Sequence, residues 1–140
     1  MVNMTNLSLY TGQPPDAAKG RTRIEGGPLY SKEDVLSRLQ PGTSGVRVVT
    51  RKAISDAASL GFDDSDLTEL LYEAMVSGQY RGSESCMVNE RAWAGCDAYR
   101  IERPEWNEYL GKYMSAGYYV KFALGRTGLV VLLISCHLSG

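Results

Sequence analysis

The sequence predicts an α+β domain, with helices in the first part of the chain and an antiparallel sheet in the second. Three observations predict it. Between residues 31 and 77, apolar side chains recur at spacings of three and four, as on one face of a helix. After Gly78 the spacing changes to the alternation of a strand. The chain has 140 residues, of which 44% are hydrophobic and 22% charged, which is typical of a single globular domain.

Three helices are predicted, over about 31–40, 50–60 and 65–77. Ser31 is a candidate N-cap, because Asp34 follows three residues later as a partial capping box. Glycines at 61 and 78 are expected to end the second and third helices. A short extended piece, 45–49, lies between the first two. The predicted inward positions of the second and third helices are Ala53, Ile54, Ala57, Ala58, Leu67, Leu70, Leu71, Ala74 and Met75.

Three strands are predicted after the helices, over 98–103, 118–124 and 129–137. In the second strand, Tyr119 and Lys121 face away from the apolar positions. The third is almost continuously apolar, as expected of a strand that is covered on both faces. The four residues 125–128 suit a hairpin connection. Helices followed by paired strands are typical of the α+β class.

Residues 1–27 are rich in Gly, Pro, Thr, Asn and Ser, and we interpret them as a flexible N-terminal arm. Residues 28–140 then form the domain. Charge is uneven along the chain: basic residues are in excess over 1–53, whereas 54–77 carries six acids and no Lys or Arg. The acidic stretch is interpreted as the solvated face of helices. The formal net charge of −1 argues against a strongly basic nucleic-acid binder, but not against a local basic face.

Three cysteines without regular spacing do not indicate a disulfide framework. No signal-peptide pattern is present, and the longest apolar run is too short to span a bilayer, so we expect a cytoplasmic protein with no membrane partner. Because the chain has one histidine and no Cys-x-x-Cys pair, no structural zinc site is expected. No cofactor-binding glycine loop is recognisable either, so no cofactor is expected.

Ionisable residues gather on the predicted strands. His137 ends the last strand, Tyr119 and Lys121 share a face of the strand before it, and Tyr99 and Arg100 lie on another. A lone histidine at a strand end is commonly a polar residue at the sheet edge. Together, however, these side chains are the groups that metal-free RNA cleavage needs: a base for the ribose 2′-OH, cations for the phosphate, and an acid for the leaving 5′-oxygen.

The segment from Pro28 to Leu138 resembles the MqsR-type toxins, within the wider RelE-like superfamily of small mRNA-cleaving toxins. The early part of the resemblance is carried by Pro28-Leu29-Tyr30, Val46-x-Val48 and Leu60-Gly61-Phe62-Asp63. The later part is carried by Gln79-Tyr80-Arg81-Gly82-Ser83, Trp93, Asp97-Ala98-Tyr99-Arg100, Tyr119-Val120-Lys121 and Leu133-Ile134-Ser135-Cys136-His137.

The resemblance implies a RelE-like fold, with N-terminal helices on one face of a curved antiparallel sheet. It implies a metal-independent endoribonuclease that cleaves single-stranded mRNA as the toxin of a type II toxin–antitoxin system. The implied partners are mRNA and a cognate antitoxin, and the need for the ribosome as a further partner is left open. The catalytic set would be His137, Tyr119, Lys121, Arg100 and Arg81, with either His137 or Tyr119 as the base. The substrate-binding set would be Tyr99, Tyr80, Cys96 and Trp93.

This sequence departs from the family pattern at two of those positions. Arg81 stands where the family has a lysine; it keeps the charge but does not readily give up a proton, so it would clamp phosphate. Cys96 replaces a glutamine and loses an amide donor. The segment 102–117 is longer than in such toxins and is expected to be a loop or a short helix. Its aromatic residues would either pack that insertion or stack on bases; they are Trp106, Tyr109 and Tyr113.

Two other functions remain open. One is a thiol enzyme with Cys96 as nucleophile, His137 as base and Asp97 or another carboxylate as the group that orients it. Asp97 would point away from Cys96 if that stretch is extended, because neighbouring strand residues face opposite sides. The other is a non-catalytic member of the same fold that binds RNA or a protein, with the acidic stretch 54–77 as the surface for a protein partner.

Overall fold

The computed structural model describes residues 4–16, 18–43, 45–127 and 130–139. The three helices are α1 (Lys32–Ser37), α2 (Arg51–Leu60) and α3 (Asp64–Ser77). The strands are β1 (Thr5–Asn6), β2 (Arg21–Ile24), β3 (Gly45–Val48), β4 (Gln79–Asn89), β5 (Ala92–Asn107), β6 (Lys112–Leu124) and β7 (Val130–Leu138). Residues 128 and 129, part of the predicted hairpin connection and last strand, lie outside the described residues.

The described strands form one seven-stranded mixed sheet, in the order β2-β4-β5-β6-β7-β3, with β1 paired to β5. The pairs β1–β5 and β3–β7 are parallel, and the others are antiparallel. The predicted fold class, N-terminal helices packed on a curved antiparallel RelE-like sheet, is therefore wrong. Strand residues outnumber helical ones about two to one, and the strands, not the helices, make up most of the fold.

The prediction failed where strands carry little apolar alternation. Strand β2 is a largely exposed edge strand with two arginines, a composition that protects a sheet edge but looks like a loop in sequence. The buried positions of β4 include Ser83 and Ser85 on one face and Cys86 on the other, so its buried side chains are small and give little apolar alternation. Within the segment interpreted as an arm, Thr5–Asn6 and Arg21–Ile24 form β1 and β2 of the sheet.

The parallel pairing of β3 with β7 also has no local signal. Its register joins Val46 to Val131 and Val48 to Leu133, positions far apart in the chain. A parallel connection needs a long crossover rather than a tight turn. Here the intervening chain includes two helices and three strands of the sheet. The sequence predicts the extended piece 45–49 but not its neighbour.

The three predicted helices are confirmed, and their ends follow the capping chemistry. The Ser31 hydroxyl accepts from the Asp34 amide over 3.1 Å, as the candidate N-cap should. Helix α3 begins slightly earlier than predicted, because Asp63 and Asp66 form a reciprocal capping box. Gly61 ends α2 at φ 69°, a left-handed conformation that favours glycine. The predicted stripe of α3 is buried in full: Leu67, Leu70, Leu71, Ala74 and Met75.

The central strands present two faces of different character. One, the α3 face, carries Tyr99 and Phe122, and it packs under α3, whose Glu73 contacts Arg103. The opposite face carries Lys121, Tyr119 and the partner positions Ser135 and His137 on β7; we call it the Lys121 face. Helix α2 lies along β7 beyond β3, where the Thr50 hydroxyl donates to the Ile134 carbonyl over 2.6 Å.

Candidate functional site

Tyr119 and His137 are stacked on the Lys121 face. They are direct register partners on β6 and β7, and their ring centroids lie 5.1 Å apart with an interplanar angle of 23°. A register shift makes this possible, because Phe122 pairs with Leu133 while Lys121 pairs with Ser135. The β-bulge leaves Leu133 in the core and turns Ser135 and His137 to the other side. Unbroken alternation would have placed His137 on the same face as Leu133.

Lys121 lies two residues further along the same face and forms an ion pair with Glu84 of β4. Both side chains are mostly shielded, with 15% and 22% exposed. Burial acts to lower the pKa of Lys121, but the hydrogen bond and charge of Glu84 outweigh it and raise that pKa above its ordinary value. Lys121 is therefore a permanent cation at neutral pH, suited to hold an anion rather than to accept a proton.

Burial is also the largest influence on Tyr119, and it raises the pKa of the phenol above the ordinary 10.0 despite the nearby Lys121 charge. The hydroxyl therefore keeps its proton at neutral pH. The His137 ring is placed differently: its Nδ1 lies 3.0 Å from the Leu138 carbonyl oxygen. A carbonyl only accepts, so this bond requires a proton on Nδ1, and in the neutral ring Nε2 then carries the free lone pair.

Arg100 flanks the stacked pair, because its register partner on β6 is Tyr119. The guanidinium is held by the Ser139 hydroxyl and by Glu102, each at 3.0 Å. Gly117 makes room for it: a Cβ at that position would lie 2.6 Å from Arg100 Nη2. Two cations, Arg100 and Lys121, thus lie on either side of Tyr119 along the strand direction.

A cavity of about 1040 Å³ opens on the Lys121 face. Lys121, Glu84, Cys86 and Ser135 from the central strands line it, and residues from β2 and from the start of α2 border it. The acidic side chains among its lining residues are Glu84 and Glu90. The basic residues that line it are Lys19, Arg21, Arg51, Lys52, Arg91 and Lys121. This excess of cations makes a local basic surface on a chain whose net charge is slightly negative.

The other predicted site residues are not brought to this cluster. Tyr99 is 2% exposed on the α3 face, where its ring stacks on Phe122 at 5.9 Å. Tyr80 packs against Tyr99, and its hydroxyl shares a 2.5 Å hydrogen bond with Ser83. Trp93 is buried against Tyr10 of the N-terminal segment. Tyr99 and Trp93 are buried in packing contacts, whereas Tyr80 is 37% exposed and lies away from the cluster.

Arg81 lies at a β-bulge near the start of β4, between Tyr80 and Gly82. It is exposed and lines a separate small cavity with the end of β2 and Gly27. In the sheet order β4 is two strands away from β6, which carries Tyr119 and Lys121. Arg81 is therefore peripheral to the cluster, whereas the resemblance places it among the catalytic residues.

Cys96 is fully buried, and its sulfur lies 3.2 Å from that of Cys86. Burial raises the pKa of the Cys96 thiol well above its ordinary value, so it holds little thiolate. Asp97, the proposed orienting group, faces the other side and accepts from the amides of Leu29 and Tyr30 at 2.9 and 3.1 Å. The Cys–His arrangement that a thiol enzyme needs is therefore not assembled around Cys96.

Several residues of the site were missed by the sequence analysis. Glu84 and Ser135 had no signal, because their pairing with Lys121 depends on strand register. Arg51 and Lys52, by contrast, did carry a sequence signal. They follow the N-cap Thr50, and cations in a first helical turn oppose the helix dipole, a pattern that calls for an explanation. The basic excess over residues 1–53 points to the same surface.

Among the residues that the structure describes, no three His, Cys, Asp or Glu side chains are grouped as a metal site would require. No helix in those ranges is long and apolar enough to cross a membrane. In comparisons with known proteins, no family model, curated protein or solved structure matches this chain.

Proposed function

We propose that this protein is a ribonuclease that cleaves single-stranded RNA at Tyr119 and His137, without a metal ion. The observation that carries the proposal is the stacked Tyr119–His137 pair, flanked by Arg100 and Lys121 beside a cation-lined cavity. A proton acceptor, a protonated hydroxyl and two fixed cations on one open face are the groups that phosphodiester transfer to a ribose 2′-OH uses.

The roles follow from the protonation states. His137 Nε2 takes the proton of the 2′-OH, and the 2′-oxygen attacks phosphorus. The bond from phosphorus to the 5′-oxygen breaks, and the Tyr119 hydroxyl gives its proton to that oxygen. Lys121 and Arg100 offset the charge on the phosphate oxygens. The products are a 2′,3′-cyclic phosphate and a 5′-hydroxyl, and solvent returns the protons to their starting groups.

The proposal is tested by cleavage of a long single-stranded RNA with EDTA present. We expect cleavage by the wild type, with His137→Ala lowering kcat about 10²- to 10⁴-fold while the thermal midpoint stays unchanged. Tyr119→Phe should lower kcat as well. Tyr72→Phe is the control, because it removes an exposed phenol hydroxyl from α3, outside the proposed site. The same strand made with 2′-deoxy residues throughout should not be cut, because it lacks the attacking 2′-OH. Cleavage by both site variants at the wild-type rate would overturn the proposal.

We further propose, on the resemblance to the MqsR-type sequences, that the ribonuclease is the toxin of a type II toxin–antitoxin pair. Expression of the wild type should then arrest growth, and His137→Ala or Tyr119→Phe should relieve the arrest at equal protein level. A cognate antitoxin would restore growth when it is co-expressed. If purified protein cuts RNA only when ribosomes are added, the substrate is translated mRNA. Normal growth at good expression of folded wild type would contradict the toxin assignment.

A non-catalytic RNA-binding protein is the second candidate, and the basic cavity favours it independently of the proton-transfer pair. It predicts binding of single-stranded RNA by wild type and by His137→Ala alike, with no strand scission in either. The product analysis above distinguishes the two functions, since only the ribonuclease yields a 2′,3′-cyclic phosphate.

A further inference from the structure

The first turn of α2 borders the cavity and has an unusual charge pattern. Arg51 and Lys52 occupy it and no acidic residue does, although the helix dipole favours the reverse. The Thr50 side chain accepts from the Ala53 amide over 2.9 Å. The amides of Arg51 and Lys52 belong to the first turn, where no preceding helical carbonyl can accept from them. An anion at this position would satisfy both the amides and the cationic side chains.

Ser135 gives a second and independent indication. It lies on the Lys121 face as the register partner of Lys121, it lines the cavity, and it is only 2% exposed. Its Oγ has no hydrogen-bond partner among the described residues. An unpaired buried hydroxyl is destabilising, so in most proteins such a group is satisfied. A hydroxyl that is unpaired in the free protein, beside a lysine and a helix N-terminus, suits a ligand that accepts hydrogen bonds.

The charge around this position favours an anion. Lys52 is paired with Asp56 over 3.0 Å, and Glu84 is engaged by Lys121. The remaining carboxylate of the cavity lining, Glu90, comes from the β4–β5 turn together with Arg91. The cations therefore exceed the carboxylates even after these pairs are counted.

We propose that the start of α2 and Ser135, beside Lys121, form a phosphate subsite for the RNA strand, next to the bond cleaved at Tyr119 and His137. This inference rests on the proposed function and names how the substrate lies. Ser135 and His137 are two residues apart on one strand, which is about 6.7 Å. The neighbouring phosphodiester group of an extended strand would occupy the subsite while the scissile one lies between Tyr119 and Arg100. The Ser135 hydroxyl and the α2 amides would donate to its oxygens.

The test compares a dinucleotide with the same dinucleotide carrying one further terminal phosphate, at the 5′ end in one sample and the 3′ end in another. For the wild type, we expect one of the two phosphorylated forms to have a KM about tenfold lower than that of the unphosphorylated dinucleotide. Arg51→Gln and Ser135→Ala should each reduce that ratio towards one. Arg126→Gln, an exposed arginine at the far end of β6, should leave the ratio unchanged.

Ser135→Ala separates a ligand role from a structural one. If the hydroxyl served the fold, its removal would lower the thermal midpoint. Because it is unpaired, we expect the midpoint to stay equal or rise while the phosphate advantage falls. Equal KM values for all three dinucleotides, or an advantage that Arg51→Gln leaves intact, would overturn the subsite.

The same comparison made with 2′-deoxy dinucleotides, which cannot react, keeps the two proposals apart. Binding is followed by fluorescence anisotropy of a labelled strand. If the protein cleaves no RNA but the terminal phosphate still tightens binding in an Arg51-dependent manner, the ribonuclease proposal fails and the subsite stands. If RNA is cleaved but the terminal phosphate has no effect on binding, the subsite alone fails.

Discussion

At the scale of single residues, Tyr119 and His137 are two ring side chains with complementary proton states. Burial keeps the proton on the Tyr119 hydroxyl, and the Leu138 carbonyl selects the His137 tautomer whose Nε2 is free. In the proposed reaction, these surroundings favour His137 over Tyr119 as the base. His137 accepts the proton and Tyr119 donates one.

This division predicts the pH dependence of cleavage. The pKa of Tyr119 is raised above 10.0, so its acidic form persists and no loss of activity should follow up to about pH 9. The profile is measured on a fluorogenic RNA at constant ionic strength. An alkaline decline below pH 9 that Tyr119→Phe abolishes would show that the phenol ionises too early for this role.

A second residue-scale prediction concerns Cys96. Because its thiol is buried, poorly ionised and engaged with Cys86, it should take no part in the reaction. Cys96→Ser should retain RNA cleavage within about threefold, once activity is corrected for the folded fraction. Iodoacetamide should leave the native enzyme active over the time that alkylates the same cysteine in urea. Loss of cleavage in folded Cys96→Ser protein would revive the thiol-enzyme hypothesis.

The same residues show how far a sequence can predict a site. Alternation along β6 placed Tyr119 and Lys121 on one face correctly. The bulge that brings His137 beside them depends on how β7 packs, and no local sequence pattern predicts it. Glu84 was missed because its contact with Lys121 depends on strand register, and Tyr99 was misplaced because a buried tyrosine and a site tyrosine look alike in sequence.

At the scale of elements, the long β5–β6 hairpin replaces the loop or short helix expected over 102–117. The strands stay paired as far as Asn107 and Lys112. Trp106 and Tyr113 are direct partners near the tip, with ring centroids 5.2 Å apart, and 54% and 68% of their surfaces are exposed. The register places them on the Lys121 face, several residue pairs beyond Tyr119. They pack against each other while leaving ring surface open.

This placement predicts that the hairpin contributes to RNA binding. Trp106→Ala should weaken binding of a single-stranded decanucleotide about tenfold, because base–aromatic stacking contributes about 1–3 kcal/mol per base. A dinucleotide is too short to reach the hairpin, so it should bind to Trp106→Ala as tightly as to the wild type. Tyr72→Ala, an exposed aromatic on α3, is the matched control. The prediction is tested by anisotropy titrations with the decanucleotide and the dinucleotide. Equal weakening of binding for the two would point to a general loss of folding.

At the scale of the whole molecule, the N-terminal segment completes the sheet that holds the site. The start of β5 and the end of β6 separate, and residues 5–9 lie between them. The Leu7 amide donates to the Trp93 carbonyl over 2.9 Å, and the Leu9 amide to the Leu124 carbonyl over 3.0 Å. Composition alone suggested a loose arm. Backbone pairing of this kind uses no side-chain pattern, which is why the sequence did not reveal it.

Ser8 holds this segment in place through two side-chain hydrogen bonds. Its side chain is fully buried, its Oγ accepts from the Gly95 amide over 3.0 Å, and it donates to Asn6 Oδ1 over 2.7 Å. Ser8→Ala leaves the Gly95 amide without that acceptor, so we expect a loss of about 1–3 kcal/mol in the free energy of unfolding and faster exchange of the Gly95 amide. Ser59→Ala, on the exposed face of α2, should change stability by less than about 0.5 kcal/mol.

The outcome bears on the site, because Gly95 and Lys121 belong to the two strands that this segment joins. If the segment is part of the folded sheet, urea denaturation of Ser8→Ala should remain a single transition at lower midpoint, with the m-value of the wild type. Cleavage activity should follow the folded fraction. A Ser8→Ala protein as stable as Ser59→Ala would mean that residues 5–9 do not hold β5 and β6 together. The Tyr119–His137 pair would then depend on the β6–β7 pairing alone.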